Sequence, residues 1–444
     1  MTEPLVLRRE MGLRDITLFA ITCVTSTRWV PGAAHAGSMS ITLWLLAALL
    51  FAVPLAIAVG SLIVKYPGAG GLYLWTRRDF GPWHAFLCFW SYWVGIAALL
   101  PPVVLFYVPV GFRALGASAA RLVDSQLWLV AASLVAIAVA LGTNMVGVNI
   151  GKWTENLGAV ATWTLAMVLA IAAAIVWARH GRAASMDLVP RWNWSTVNFW
   201  AGIAYALSGL ELAGLMGAEI RDPDHNLPRA GWLASGFGVT FYAVSTASLL
   251  VILPPQRISE MTGYAQTADA AAPFVGAWLP PAIALLVLLS GIGAIGGVGT
   301  GTSRLPFAVG VDHLLPAAFR KIHPRWGTPH LSILALGLVS SFLLVVFQFG
   351  DSMRAAYQEL LAMMVIAGFL PYLYIFGSSW KAGNRISAAS GWSVTVLAIV
   401  CSVAPSDEIH NIWLYEGKLA AGTGAVIGSA WLLYRRAARR VAPQ

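Results

Sequence analysis

Apolar runs of about 20 residues, the length that crosses the hydrocarbon core of a bilayer, recur from one end of this chain to the other with short polar joints between them. Inside hydrocarbon every backbone N–H and C=O must be paired within the protein. A chain made of such runs therefore folds as a bundle of spanning helices. Charged residues fill only 11% of the 444 positions, whereas soluble domains carry about a quarter. The runs predict an all-α polytopic membrane protein of about twelve transmembrane helices. They lie at roughly 14–38, 40–64, 83–113, 126–143, 148–178, 197–219, 231–254, 275–311, 330–349, 353–378, 388–404 and 411–434. The third is expected to be interrupted at Pro101-Pro102, because proline removes a helical N–H and clashes with the preceding turn. "MTEPLVLRREMGLRD" has no apolar core followed by a small-residue cleavage site, so the first span is expected to stay in place and direct its own insertion.

The net charge of +9 resides mostly in basic residues at the ends of the runs. That placement fits membrane orientation and excludes nucleic acid as the partner. With the N-terminus in the cytoplasm, the inside holds Arg8, Arg9, Arg14, Lys65, Arg77, Arg78, Lys152, Arg221, Arg229, Arg304, Arg320, Lys321, Arg325, Lys381, Arg385, Arg435, Arg436, Arg439 and Arg440. The outside holds Arg113, Arg121, Arg179, Arg182, Arg191, Arg257, Arg354 and Lys418. Nineteen against eight is the positive-inside pattern, and an even number of spans returns the C-terminus to the cytoplasm.

Two runs carry residues that a plain span would not. The first reads "AITCVTSTRWVPGAAHAGS" over Ala20–Ser38. Arg28 lies about 14 residues, or about 21 Å, into it, too deep for its side chain to reach the interface easily. A central arginine costs about 2.5–3.5 kcal/mol on insertion scales, so an acid, backbone carbonyls or water must offset it. Pro31 and Gly32 favour a break, and Thr25, Ser26 and Thr27 can bond the backbone groups so freed. Broken helices at membrane depth surround cavities or protein-buried sites. Two readings stay open: a ligand site at this break, or a kink held by a structural Arg–carboxylate pair. The second run reads "AYALSGLELAGLMGAE" and places Ser208, Gly209 and Glu211 in its middle. Glu211 either carries a coupling proton or neutralises Arg28. Breaks at corresponding places five helices apart point to an inverted-repeat transporter with its site near the midplane.

Tyr92, Trp93 and Tyr205 fall near the middle of their runs and either line a cavity or pack. Glu155 and Glu359 fall nearer the ends and read as structural or interfacial. Gly293, Gly297 and Gly301 make one smooth helix face suited to close packing; the alternative is a sodium site using Thr300, Thr302 or Ser303 with carbonyls of the first break. Trp83, Trp128, Trp192, Trp194, Trp278 and Trp413 read as interfacial anchors. Cys23, Cys88 and Cys401 are scattered through apolar runs and provide neither a disulfide framework nor a metal spacing. No HExxH, GxSxG or P-loop occurs, so neither an enzyme nor a metal or other cofactor is expected. A repeated filter sequence or a charge ring, as in channels, is also absent from the sequence.

Four stretches resemble amino acid permeases of the amino acid–polyamine–organocation (APC) superfamily, in that family's order. They are "GLRDITLF", "YPGAGGLYLWTRRDFGPWHAFLCFW", "ALSGLELAGLMGAEIRDPDHNLPRA" and "SRLPFAVGVDHLLPAAFRKIHPRWGTP". "FAIT", the proline-bearing first helix and the helix-six glutamate are most similar to the bacterial glutamate/GABA antiporter branch. The resemblance implies a LeuT-like fold of five plus five inverted helices, broken in helices one and six, with two accessory helices. It places a transport core at 1–380, with helices 1–5 over about 14–178 and 6–10 over about 197–378, and accessory helices with a short basic tail at 381–444. It implies alternating access for an amino acid or related amine in a bacterial inner membrane, coupled to protons, sodium or counter-substrate. The alternatives are an amine exporter or exchanger and a transport-inactive sensor. The implied substrate site is Thr25, Ser26, Thr27, Arg28, Trp29, Tyr92, Tyr205, Ser208 and Gly209, with Glu211 as the coupling group. One departure stands out: "TSTRWVPG" replaces the glycine-rich "GSGIF"-like break whose bare amides hold the substrate carboxylate in most members. The short C-terminal stretch leaves no room for a sizeable regulatory tail.

Overall fold

The computed structural model describes residues 9–66, 68, 70–122, 125–348, 353–403 and 412–441, and these are helical without a strand. The first crossing is a pair of short helices, α1 (Leu13–Val24) and α2 (Trp29–His35). The second joins α3 (Met39–Ala47) to α4 (Val53–Lys65), and then come α5 (Gly71–Phe80), α6 (Pro82–Phe112), α7 (Ala117–Leu122), α8 (Gln126–Met145) and α9 (Val148–His180). The sixth crossing is again a pair, α10 (Trp194–Ala206) and α11 (Leu210–Leu215). The remainder are α12 (Pro223–Ile252), α13 (Gly263–Val275), α14 (Leu279–Val311), α15 (His330–Gln348), α16 (Met353–Lys381), α17 (Arg385–Val403) and α18 (Ile412–Val441). Among the described residues seven helical stretches are by themselves long and apolar enough to cross a membrane. The predicted runs recur within a few residues, with three differences in extent, one being the twelfth, which continues to Val441. The seventh begins earlier, at Pro223, and the eighth begins at Leu279 because residues 263–275 form the separate helix α13. The short helices α5, α7 and α13 lie outside the predicted runs.

Prolines act differently at different depths. The expected interruption at Pro101-Pro102 does not occur: α6 runs through both residues, which are buried. Its contacts with α16, α14 and α5 hold the helix on course, as buried neighbours do for intramembrane prolines. In the second crossing, Pro54 cannot donate to the Leu50 carbonyl. A π turn over Ala48–Ala52 takes up the fault, and the Ser390 hydroxyl donates to Leu50 O at 2.9 Å.

The glycine face of α14 is a packing face throughout. A Cβ on Gly293 would lie 2.6 Å from Gly158 Cα of α9. Gly297 meets Thr22 and Cys23 of α1, and Gly301 meets Leu212 of α11. Small residues thus seat both broken helices against one long one. At the end of the bundle that carries α5, the chain before α1 pairs with the chain after α11. Glu10 and Met11 N–H donate to Glu219 O at 3.0 and 3.1 Å, and Arg221 N–H donates to Met11 O at 2.9 Å. Asp312, just past α14, pairs there with Arg77 and accepts from the Tyr73 hydroxyl.

Trp128, Trp192, Trp194, Trp278 and Trp413 are exposed, whereas Trp83 packs on Tyr434. Cys23, Cys88 and Cys401 are free thiols. Arg8 and the side chains of Arg354, Glu359 and Lys418 lie outside the described residues.

Candidate functional site

The first break lies at Thr25–Arg28, ahead of the proline and glycine that predicted it. The Thr25 N–H closes α1 on Ile21 O, and Thr25 itself is extended. Pro31 and Gly32 sit inside α2, which starts at Trp29. Pro31 falls in the first turn, where an N–H has no intrahelical acceptor to lose. The Tyr264 hydroxyl of α13 donates to Thr27 O at 3.0 Å, the carbonyl an unbroken helix would pair with residue 31. The second break lies at Leu207–Gly209. Gly209 has φ 109°, and a Cβ there would also lie 2.4 Å from Cys23 O. Only glycine meets both demands.

Tyrosines from other helices knit the two breaks together. The Tyr242 hydroxyl accepts from Ser26 N–H at 2.9 Å and lies 3.2 Å from Val24 O and 3.1 Å from Ala206 O. Having one proton, it donates to one of these carbonyls at a time. Its ring stacks on Trp44 with centroids 4.0 Å apart. Tyr107 Oη accepts from Thr27 Oγ1 at 3.1 Å and lies 3.3 Å from Ser26 Oγ.

Between the breaks is a cavity of about 70 Å³. Ser26, Arg28, Trp29, Tyr92, Tyr205, Ser208, Gly209 and Glu211 of the predicted set line it. Thr25 and Thr27 are outside this lining and support the backbone, through Ile21 O and Tyr107. Trp93 also lies off the cavity, stacked on Trp90. The Arg28 guanidinium sits 4.3 Å from the Trp29 ring centroid. Glu211 is held from elsewhere: the Tyr92 and Tyr372 hydroxyls each donate to Oε1 at 2.7 Å, and Gly209 N–H donates to Oε2 at 3.1 Å. Among the described residues, the ion pairs do not include the predicted structural alternative, a direct Arg28–Glu211 pair. Gly368 of α16 leaves room for the Tyr205 hydroxyl, which would lie 2.6 Å from a Cβ there.

Tyr372 escaped sequence reasoning. Its one local signal is the neighbouring Pro371 inside an apolar run, and its partner lies across the chain. A second polar cluster was also missed. Arg304 of α14, counted above among the basic residues on the inside, is 1% exposed and forks onto Glu219, with Nε–Oε1 at 2.7 Å and Nη2–Oε2 at 2.9 Å. Glu155 of α9 is buried rather than interfacial and accepts from Thr300 Oγ1 at 2.7 Å.

Two broken helices facing each other across a cavity that holds a guanidinium and a carboxylate are the geometry expected of a permease. A profile of the amino acid permease family matches residues 11–404. The chain belongs to that family. This permease is 23% identical to an uncharacterized transporter of Legionella pneumophila, over 79% of this chain and 76% of the relative. It is 26% identical to the serine/threonine exchanger SteT of Bacillus subtilis, over 76% and 77%. The probable agmatine/putrescine antiporter AguD of Lactococcus lactis is 22% identical over 76% and 73%. The permease is a multi-pass membrane protein.

Proposed function

We propose that this permease is a secondary active transporter of a small amino acid, working by alternating access at the cavity between the two breaks. One observation carries the reading: a guanidinium and a carboxylate, Arg28 and Glu211, line the same cavity at the two broken helices. In this reading Arg28 takes the substrate carboxylate, in place of the bare amides of a glycine-rich break, through a charge-assisted contact. Trp29 holds the guanidinium plane, and Ser26 and Ser208 supply neutral hydrogen bonds. Thr25 and Thr27 keep the break in shape. Glu211, Tyr92 and Tyr205 form the side that receives the amino group. The ring of tyrosines about Glu211 also favours a second reading, an amine or diamine as substrate, since aromatic faces and a carboxylate attract a cation.

Residues 1–380 form the transport core, and 381–444 the accessory helices and basic tail. In this reading helices one, two, six and seven rock as a set against the rest.

Coupling is assigned to protons, with Glu211 as a coupling group. For sodium at Thr300 and Ser303, the Arg304 guanidinium is an obstacle: its Nη1 donates to Thr300 O at 2.9 Å and to Ser303 Oγ at 3.0 Å. A cation there would meet a cation. The reading is tested in proteoliposomes with labelled serine, threonine and putrescine. Uptake of one of the amino acids supports transport of that class, and uptake of putrescine alone favours the amine reading. Binding without uptake would indicate a sensor. Glu211→Gln should retain exchange and lose dependence on a pH gradient; unchanged gradient-driven uptake removes the coupling role.

The protein is placed in a bacterial inner membrane with both termini, and the end that carries α5, in the cytoplasm. Removing buried Arg304 from the basic count leaves the charge bias intact. On a background without Cys23, Cys88 and Cys401, an impermeant thiol reagent should label Arg191→Cys in sealed cells and spare Lys321→Cys. The reverse labelling inverts the topology.

A further inference from the structure

Below the Glu211 cavity, towards the α5 end, three ionisable side chains are sealed in protein. Glu155 and Glu219 are each 2% exposed and Arg304 is 1% exposed. Four of the five donors of Arg304 are directed by the geometry. Nε and Nη2 fork onto Glu219, and Nη1 serves Thr300 O and Ser303 Oγ. Arg304 and Glu219 cancel in charge. Glu155 is left with a neutral donor, Thr300 Oγ1 at 2.7 Å. Ionised, it leaves the cluster with a net charge of about −1 in a place where an uncompensated charge costs several kcal/mol. Protonated, it leaves the cluster neutral.

We infer that Glu155 is a second proton-binding site, separate from the substrate cavity, whose access to water is governed by the position of α1. The inference rests on the transporter reading only for its link to coupling.

The packing supplies the gate. The carboxyl belongs to a block formed by α9 and α14, whose backbones meet at Gly158 and Gly293. The lid is α1. Its Thr22 Oγ1 donates to Glu155 O at 3.1 Å, and Gly297 of α14 receives Thr22 and Cys23. Moving α1 away from this block breaks the Thr22 bond and opens the carboxyl to water. Among the described residues, the charged groups acting on Glu155 are Arg304 from α14 and Glu219 from the turn after α11. From α1 comes the Cys23 thiol, which feels the Glu155 charge. From α8 comes the uncharged Asn144, which donates to Gly296 O. The helices α12 and α13 contribute no charged group to it. The step is proton transfer alone: the carboxylate takes one proton from water to give the neutral acid and returns it to water, with no other bond changed.

The same arrangement ties the proton to both broken helices. The turn carrying Glu219 accepts the N–H groups of Glu10 and Met11 through its backbone. The start of α1 and the end of α11 therefore shift together, and Arg304 and Glu155 sit where that shift is felt.

The test uses the full chain in liposomes. Infrared difference spectra between pH 5 and pH 9 should show a protonated-carboxyl band that persists in Glu211→Gln and vanishes in Glu155→Gln. The same carboxyl bands in Glu155→Gln and wild type would overturn the inference, whatever the substrate. Uptake of labelled serine, threonine and putrescine supplies the second readout. A one-unit pH gradient supports about tenfold accumulation per coupled proton. Glu155→Gln should bring accumulation to parity and flatten the pH profile while counterflow persists, and Glu155→Asp should restore part of the gradient response. Wild-type accumulation in Glu155→Gln overturns the coupling role. Wild-type liposomes that take up none of the three probes refute the transporter reading instead, and the infrared result still decides the proton site. Should Glu155→Gln not fold, Thr300→Val carries the test: loss of the 2.7 Å donor must move the carboxyl band and its pH midpoint, and an unmoved band overturns the inference.

Discussion

Arg304→Met unfolds this permease far more easily than its exposed charges would suggest. The change removes the fork from Glu219 and leaves a carboxylate in a site that is 2% exposed. Breaking a buried pair from one side costs about 3–5 kcal/mol. Glu219→Gln alone strands the guanidinium and is expected to do similar damage. The double variant, Glu219→Gln with Arg304→Met, should recover much of the loss, because an apolar replacement of the pair removes the desolvation penalty together with the attraction. Melting curves of the four proteins in one detergent form the cycle. A single Arg304→Met variant melting with wild type would mean that the pair does not hold the α14 and α11 ends together. By contrast, disrupting Arg77 and Asp312, with Arg77 half-exposed, should move the melt little, since solvent screens such a pair.

Arg28→Ala is expected to weaken binding of the transported amino acid ten- to hundredfold. Hydrogen bonds to charged groups contribute about 1.5–3 kcal/mol, and each 1.4 kcal/mol is about tenfold. The Trp29 ring at 4.3 Å orients the guanidinium plane, so the contact depends on shape as well as charge. Arg28→Lys should recover only part of the affinity, because an ammonium offers no fork and stacks less well. The decarboxylated analogue provides the internal control: for serine this is ethanolamine. It should bind wild type poorly and respond little to the substitution. Isothermal titration of both ligands against the three proteins decides the matter. If ethanolamine binds wild type as well as serine does, Arg28 does not read a carboxylate, and the amine reading of the Glu211 side gains.

What could be read in advance is what depends on neighbours in the chain. The runs at 40–64, 126–143 and 148–178 reappear within two residues at each end as Met39–Lys65, Gln126–Met145 and Val148–His180. Span length is set by bilayer thickness and by backbone pairing within each helix, both local demands. The breaks were legible for the same reason. Arg28, Pro31, Ser208 and Gly209 are expensive or awkward where they stand, whatever surrounds them. Pro31 itself lies just past the first break, inside α2, because a proline in a first helical turn loses no bond. Family membership was legible too, in four stretches that keep their order.

What tertiary structure alone decided is which polar groups meet. Tyr242 joins Ser26 and Ala206, Tyr372 reaches Glu211, and Tyr264 reaches Thr27, each across a large separation in sequence. A tyrosine in an apolar run has no local signature of the carbonyl or carboxylate it will find. Arg304 shows the same limit from the other side. It was counted among the cytoplasmic charges, and only the packing of α14 against the turn after α11 made it the buried partner of Glu219. Periodicity and composition report the cost of placing a group in the membrane. The partner that offsets this cost comes from another helix, and its position follows from how the helices pack.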